Sequence, residues 1–491
     1  MLPRRYERSI AWLRRDLRTS DNRALFEAAR DSDGVALAFV LDPALLPDGR
    51  LGSPLVQAFF TALRALRSEL RARGSDLALL EGDPAAELVR FARRAKAEAL
   101  FYNVDYEPAA ISRGERVAAA LRAEGLDVYA GLDHVYFGVD EVRQHDGAPY
   151  KVFTPYKRRW LDRRAVAPRL PFPSSEALEG RLLPLADVGA SRAVPTPEEY
   201  GFTSSAAYPV VTQRRAYELL ERFTRPGGGI DRYRERRDEP ALGGTSKLSP
   251  QLRAGTIGIR TCVERAFALL PSSDGDARAG IEAWLGELIW RDFYQMVLRV
   301  WPHVASGPFA DATDRIAWRR NDAEFAAWCS GLTGYPIVDA AMRQLNVYGW
   351  MHNRLRMIVA SFLSKDLLID WRLGERYFER QLADADLAQN NGGWQWSAST
   401  GTDAVAYFRI FNPVAQSRRI DREGVFVRRM LPELRGVPAK YVHAPWEMPP
   451  LVERASGIVI GRDYPARIVE HDLARVRALR VFSQAKASAR G

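Results

Sequence analysis

Val35-Ala36-Leu37-Ala38-Phe39-Val40-Leu41 is an unbroken apolar run of strand length. A strand with one wet face alternates polar and apolar residues. An unbroken run reads instead as a strand buried on both faces, the pattern of a parallel sheet. Similar runs flank it at Ile10-Ala11-Trp12-Leu13, Leu77 to Leu80, Leu100 to Val104 and Val128-Tyr129-Ala130. Between them lie stretches with helical spacing, such as Leu55 to Leu70 and Ala86 to Ala97. This alternation predicts an α/β domain over residues 1–135, with a parallel five-stranded sheet covered by helices in a Rossmann-like winding. No GxGxxG and no P-loop follows any of the runs, so no tight dinucleotide or triphosphate site is written there. A scaffold or docking role fits these residues equally well.

Working outward, the pattern fails from 136 to 202, where Pro168, Pro171, Pro173, Pro184, Pro195 and Pro197 punctuate the chain. This interval is expected to be a linker over the surface. From 203 to 491 the chain reads as an all-α domain. Ser249-Pro250 predicts a cap followed by proline at the first helical position. Thr261-Cys262-Val263-Glu264 has the form of a capping box.

Composition narrows the function classes. The chain has 491 residues and a formal charge of +10, which favours an anionic partner, nucleic acid before membrane surface. Cys262 and Cys329 are the only cysteines, which excludes a disulfide framework and CxxC chemistry and fits a reducing cytosol. No run approaches the roughly 18 apolar residues of a membrane span. The six histidines are scattered, no HExxH or GxSxG occurs, and no metal site is expected.

Ten of the twelve tryptophans fall in the helical half. Core packing is the ordinary role of such residues. Two stripes suggest more. Trp284, Glu287, Trp290 and Arg291 stand three or four apart, and so do Trp350, Asn353, Arg356 and Met357. Flat rings, an amide, a carboxylate and guanidinium groups on inward faces describe a polar pocket for a planar, partly anionic ligand. The competing reading pairs Glu287 with Arg291 on a solvated surface. Asn390-Asn391-Gly392-Gly393 ahead of Trp394-Gln395-Trp396 reads as a turn rather than a helix interior. Thr245-Ser246-Lys247-Leu248-Ser249 adds hydroxyls and a cation before a helix start, a setting that suits phosphate oxygens.

These residues carry a resemblance. Trp12-Leu13-Arg14-Arg15-Asp16-Leu17-Arg18, Lys151-Val152-Phe153-Thr154-Pro155-Tyr156, Asn390-Asn391-Gly392-Gly393-Trp394-Gln395-Trp396 and Tyr407-Phe408-Arg409-Ile410-Phe411-Asn412-Pro413 are similar to motifs of the photolyase/cryptochrome flavoproteins. The chain resembles the class I cyclobutane pyrimidine dimer photolyases most closely. The resemblance implies a non-covalent FAD in the helical domain, with Tyr233, Thr245, Ser246, Leu248 and Ser249 around its phosphates and ribose. Trp284, Glu287, Arg291, Asn353, Arg356, Asp384, Asp386 and Asn390 would line the rest, with Asn390 at the reactive ring nitrogen.

The implied reaction is light-driven repair of a flipped-out pyrimidine dimer in UV-damaged DNA by an electron from reduced FAD. Glu287 would hydrogen-bond the dimer, Trp290 and Trp396 would pack on it, and Asn353 and Met357 would border it. Trp394, Trp371 and Trp318 match the chain that reduces the flavin under light. Arg237, Arg354 and Arg409, with Arg418 and Arg419 behind them, are the expected phosphate contacts.

A signalling cryptochrome is the main rival. Asn390 in place of an acidic residue, the absence of a long tail after Tyr464-Pro465, and the complete dimer-contacting set count against it. A (6-4) photolyase would use paired histidines, a DASH-type member alters the positions of Met357 and Trp396, and a flavin reductase would need a nicotinamide fingerprint. The α/β domain is expected to hold an antenna chromophore, a folate, a deazaflavin or a second flavin, with Glu107 a candidate contact. The resemblance further implies a cytoplasmic monomer, nucleoid-associated when bound to DNA.

Overall fold

The computed structural model describes residues 4–45, 51–189 and 191–488. Among these residues the strands β1 (Tyr6–Leu13), β2 (Ser32–Leu41), β3 (Leu77–Glu81), β4 (Ala99–Asn103) and β5 (Asp127–Gly131) form one sheet, in the order β3-β2-β1-β4-β5. All pairs are parallel, with Ile10 opposite Ala36 and Leu100, Leu37 opposite Leu77, and Leu100 opposite Val128. Ala11, Leu13, Leu37 and Phe101 join a core on one face. Ile10, Trp12, Ala36, Ala38 and Leu100 join another on the opposite face. Successive side chains point to opposite faces, so two cores demand that every central position be apolar. That is why Val35 to Leu41 carries no polar residue.

Connections are helical. Arg23–Asp31 links β1 to β2, Ser53–Ala72 links β2 to β3, Pro84–Ala95 links β3 to β4, and Pro108–Ala123 links β4 to β5. Asp83 caps the third of these by accepting from the amides of Ala85 and Ala86 at 3.1 Å.

The chain divides into two compact units. The first comprises the described residues within Met1–Arg234, Ser246–Pro302 and Ala383–Asp386; the second comprises those within Glu235–Thr245, His303–Leu382 and Leu387–Gly491. The interval 136–202 is more than a linker. It carries the helix Phe153–Val166, whose Trp160 is fully buried and donates its indole N–H to Asp292 at 3.0 Å. Pro155 lies in the first turn of that helix, where its missing N–H costs nothing. The second unit is mainly helical.

The capping-box expectation at Thr261 is corrected. The helix runs Ile259–Leu269 with Gly258 at its cap, and Asp21 takes both the Thr261 amide (3.2 Å) and its hydroxyl (2.8 Å). Glu264 pairs instead with Arg164 at 2.5 Å. The Ser249 cap is displaced by one residue as well: Leu248 is the cap, without a side-chain bond, and Ser249 opens the helix Ser249–Ala254.

Candidate functional site

In the first unit the helix Gly275–Val300 carries the first aromatic stripe. Trp284 is buried against Phe223, ring centroids 5.2 Å apart, and Phe223 meets Tyr233 at 5.7 Å. Trp290 lies further round the helix. It stacks on Phe153 at 3.6 Å with a 9° interplanar angle, so the four residues span two contact surfaces rather than one narrow face. Glu287, between them, is half-buried. Arg291 is only 8% exposed and donates to the His134 carbonyl, which excludes the solvated-surface reading for this side chain.

Asp386, 5% exposed, accepts from Arg15 and from Gln295 Nε2, the latter at 3.0 and 3.2 Å. Burial alone would raise the Asp386 pKa, yet the guanidinium groups of Arg15, Arg253 and Arg291 hold it well below the carboxylate range. Asp384 is buried nearby in sequence. His134 is buried, edge-on to Tyr106 at 4.7 Å, with burial pushing its pKa down to about 4. Its ring nitrogens and Gln295 Oε1 have no hydrogen-bond partner among the described residues. Tyr233 and Leu248 are buried, while Ser246 is half-buried and Ser249 exposed.

In the second unit the second stripe is broken. The helix Pro336–Tyr348 ends at Gly349 in the left-handed region (φ 60°), and a new helix, Asn353–Ser361, begins after His352. Trp350 therefore lies between helices, not on a face with Asn353, Arg356 and Met357. His352 has a structural role, its Nδ1 accepting from the Arg354 amide at 3.2 Å. Arg356 donates Nε to the Met351 carbonyl at 2.9 Å. Arg354 is paired with Asp238 at 2.6 Å, and Arg418 with Glu447 at 3.2 Å. Arg237 and Thr245 are half-buried; Arg409 is exposed.

The expected turn at Asn390 is a helix, Leu387–Ala398. Tertiary bonds override the weak helical propensity of Asn-Asn-Gly-Gly. Asn391 donates to the carbonyl of Val304 at 2.8 Å and to Glu375 Oε1 at 2.9 Å, and Asn390 donates to the Glu375 carbonyl at 3.0 Å. The Asn390 amide is thus held by its nitrogen. Trp394 is buried against Phe378 at 5.0 Å, and its indole N–H has no acceptor among the described residues. Trp371 is also buried and opens the helix Trp371–Gln381, whereas Trp318 is half-buried beside Phe482 at 5.8 Å. Trp396 is half-buried.

Sequence reasoning missed Arg15, Gln295, His134 and Glu375. Only Arg15 stood inside a motif already singled out, Trp12 to Arg18. Glu375 is buried, which pushes its pKa up to about 7 against the helping bond from Asn391. A buried acid with a raised pKa lowers stability as pH rises from the unfolded value near 4.3 to about 7, and no further above it. Glu375→Gln is therefore expected to remove up to about 3 kcal/mol of that decline. Thermal unfolding of the two proteins between pH 5 and 8 checks this; parallel pH profiles would refute it.

The side chains present fit a flavin dinucleotide. In the first unit, hydroxyls, guanidinium groups, buried carboxylates and the orphaned polar atoms of His134 and Gln295 match a ligand with phosphates, sugar hydroxyls and a ring of alternating donors and acceptors. Among the described residues no group of three His, Cys, Asp or Glu could hold a metal ion, and no helix is long and apolar enough to cross a membrane.

Comparison with known proteins agrees. Residues 9–176 match the DNA photolyase family model, and residues 284–484 match that of the FAD binding domain of DNA photolyase. The chain is 42% identical to the deoxyribodipyrimidine photo-lyase of Salmonella typhimurium, over 98% of this chain and 99% of that one. It is 42% identical to the Halobacterium salinarum protein of the same name, over 97% and 99%. Among solved structures, a class III photolyase from Agrobacterium tumefaciens superposes with a TM-score of 0.87 at 33% identity, covering 98% of each chain. An archaeal photolyase from Sulfolobus tokodaii, solved with two FAD molecules, gives 0.81 at 31% identity, over 97% of this chain and all of that one. Parallel sheet, a helical region that matches the FAD-binding family model and full-length similarity converge: the chain belongs to the DNA photolyase family.

Proposed function

We propose that this protein repairs cyclobutane pyrimidine dimers in UV-damaged DNA under blue light, as a carbon–carbon lyase that depends on FAD. The observation that carries this reading is the similarity to deoxyribodipyrimidine photo-lyases over 98% of the chain. When bound, FAD supplies the light-driven electron that opens the cyclobutane ring and takes it back afterwards.

The chain's own residues bind and orient. Tyr233, Thr245, Ser246, Leu248, Ser249, Trp284, Arg291, Asn353, Arg356, Asp384 and Asp386 hold the cofactor. Asn390, its amide nitrogen fixed on the Glu375 carbonyl, would have its neutral oxygen left for the flavin ring. Glu287 hydrogen-bonds the dimer and Asn353 and Met357 border it. Trp290 and Trp396 stack on it, worth about 1–3 kcal/mol per base. Arg237, Arg354 and Arg409 take phosphates, so binding weakens with salt. For Arg354 this means exchanging Asp238 for a phosphate. The protein acts as a cytoplasmic monomer on nucleoid DNA, and an antenna chromophore near Glu107 would widen its light capture.

Trp394, Trp371 and Trp318 relay electrons from the surface. Their burial supports this order, since Trp394 and Trp371 are enclosed and Trp318 reaches solvent. The experiment is repair of a thymine-dimer oligonucleotide by the FAD-loaded protein under blue light. Trp371→Phe is expected to abolish most photoreduction yet leave repair intact after chemical reduction. Full FAD occupancy without repair would favour a photoreceptor; loss of repair after chemical reduction would remove Trp371 from the relay.

A further inference from the structure

Asp386 is held from far along the chain. Arg15, on the loop leaving β1, donates Nη2 to it from 371 positions away. The other terminal nitrogen of Arg15 meets Asp105 at 3.4 Å and Glu107 at 3.0 Å, just beyond the end of β4. Glu107 also accepts from Arg253 at 3.0 Å. Arg15 is 8% exposed and Asp105 7%. One buried guanidinium is therefore shared between two carboxylates at the end of the sheet and the carboxylate assigned to the flavin.

Arginine suits this position. Its planar fork fixes the direction of each bond, and it stays charged when buried. Without it Asp105, Glu107 and Asp386 lose the guanidinium they share; Arg253 still pairs with Glu107, and the charges of Arg253 and Arg291 still act on Asp386, but no bond from the end of the sheet then fixes the direction of that carboxylate. Gln295 adds one amide nitrogen to Asp386, a neutral donor beside the charged one. The far end of the cluster rests on the loop after β4, a strand hydrogen-bonded to both β1 and β5. The sheet's rigidity is thereby passed to Asp386.

We propose that Arg15 is a positioning residue of the flavin site: by clamping Asp386 to Asp105 and Glu107, it makes the α/β sheet set the affinity for FAD, whether or not that sheet carries an antenna chromophore. This rests on the assignment of Asp386 to FAD.

The test is FAD rebinding to the full-length protein after FAD depletion, with flavin fluorescence and visible circular dichroism as readouts. Arg15→Met and Asp386→Asn are each expected to weaken FAD about tenfold or more, the worth of one charged hydrogen bond. The double variant is expected to be no weaker than the worse single variant within about threefold, because the two residues act as one unit. Arg15→Lys recovers part of the affinity and of the wild-type dichroism. Losses that multiply in the double variant would show general destabilisation and overturn the proposal, as would unchanged affinity in Arg15→Met. Should Arg15→Met fail to fold, Arg15→Met/Glu107→Gln, which removes a carboxylate together with the guanidinium, carries the same cycle. Wild-type protein that takes up no FAD overturns the flavin assignment itself, before any variant is compared.

Discussion

Replacing Gly374 with alanine is expected to destabilise the second unit by up to about 2 kcal/mol, although alanine is the better helix former by roughly 1 kcal/mol. Two effects of opposite sign compete. Gly374 lies in the helix Trp371–Gln381, where a methyl group lowers the entropy of the unfolded chain. That same methyl would overlap the Cη2 edge of the Trp394 ring and come within 2.6 Å of its Cζ3 and of Leu363 Cδ2. Trp394 is itself packed edge-on against Phe378 at 5.0 Å and Trp328 at 6.0 Å, which resists its retreat. Overpacking of this kind typically costs 1–3 kcal/mol and outweighs propensity. A displaced indole also slows flavin photoreduction, which a stopped light-pulse absorbance measurement reads separately from stability. Trp394→Phe removes the offending ring edge. Gly374→Ala/Trp394→Phe should regain the lost stability while remaining unable to photoreduce. A rise in melting temperature for Gly374→Ala alone would show that Trp394 is loosely held and is not fixed by this glycine.

That glycine illustrates what could be read from the residues and what could not. The sheet was legible because its cause is local: a strand buried on both faces must be apolar at every position, and Val35 to Leu41 is. The helix at Asn390 was not, because its bonds to Val304 and Glu375 belong to other elements. Locally, Asn-Asn-Gly-Gly speaks for a turn. Thr261 and Glu264 had the spacing of a capping box, but Asp21, 240 positions away, had already taken the Thr261 donors. Trp350 was misplaced for the opposite reason. Gly349 was a local stop signal, and an unbroken stripe of residues at helical spacing masked it. The residues expected to line the flavin were named from family motifs, whereas the partners that bond two of them, Arg15 and Gln295 to Asp386 and Glu375 to Asn390, are visible only once the chain has folded.

Asp133→Asn should be among the most damaging single substitutions in the first unit, costing about 3–5 kcal/mol. Asp133 is buried on the turn after β5, bonded to Arg18 Nη2 at 2.6 Å and Arg260 Nη2 at 2.5 Å. Arg260 Nε also holds Asp21 at 2.7 Å. Two guanidinium groups face two carboxylates, and the amide leaves one positive charge buried and uncompensated. Burial by itself would raise the Asp133 pKa, but the charges of Arg18 and Arg260 outweigh it and hold the carboxyl far below its ordinary range. A depressed pKa contributes stability that is present above about pH 4 and lost as pH falls below it. The variant should therefore lose its stability at neutral pH and show a flatter decline in acid than the wild type. The damage reaches the cofactor, because the next residue, His134, offers its carbonyl to Arg291. FAD should then elute from the variant during gel filtration while the wild type retains it. Asp133→Leu/Arg18→Met, which removes the pair together, should recover most of the loss, since apolar replacement of a buried ion pair is often neutral. A cost below about 1 kcal/mol for Asp133→Asn in urea unfolding would mean that Asp21 alone neutralises both arginines, and that the turn carrying His134 is held by packing rather than by charge.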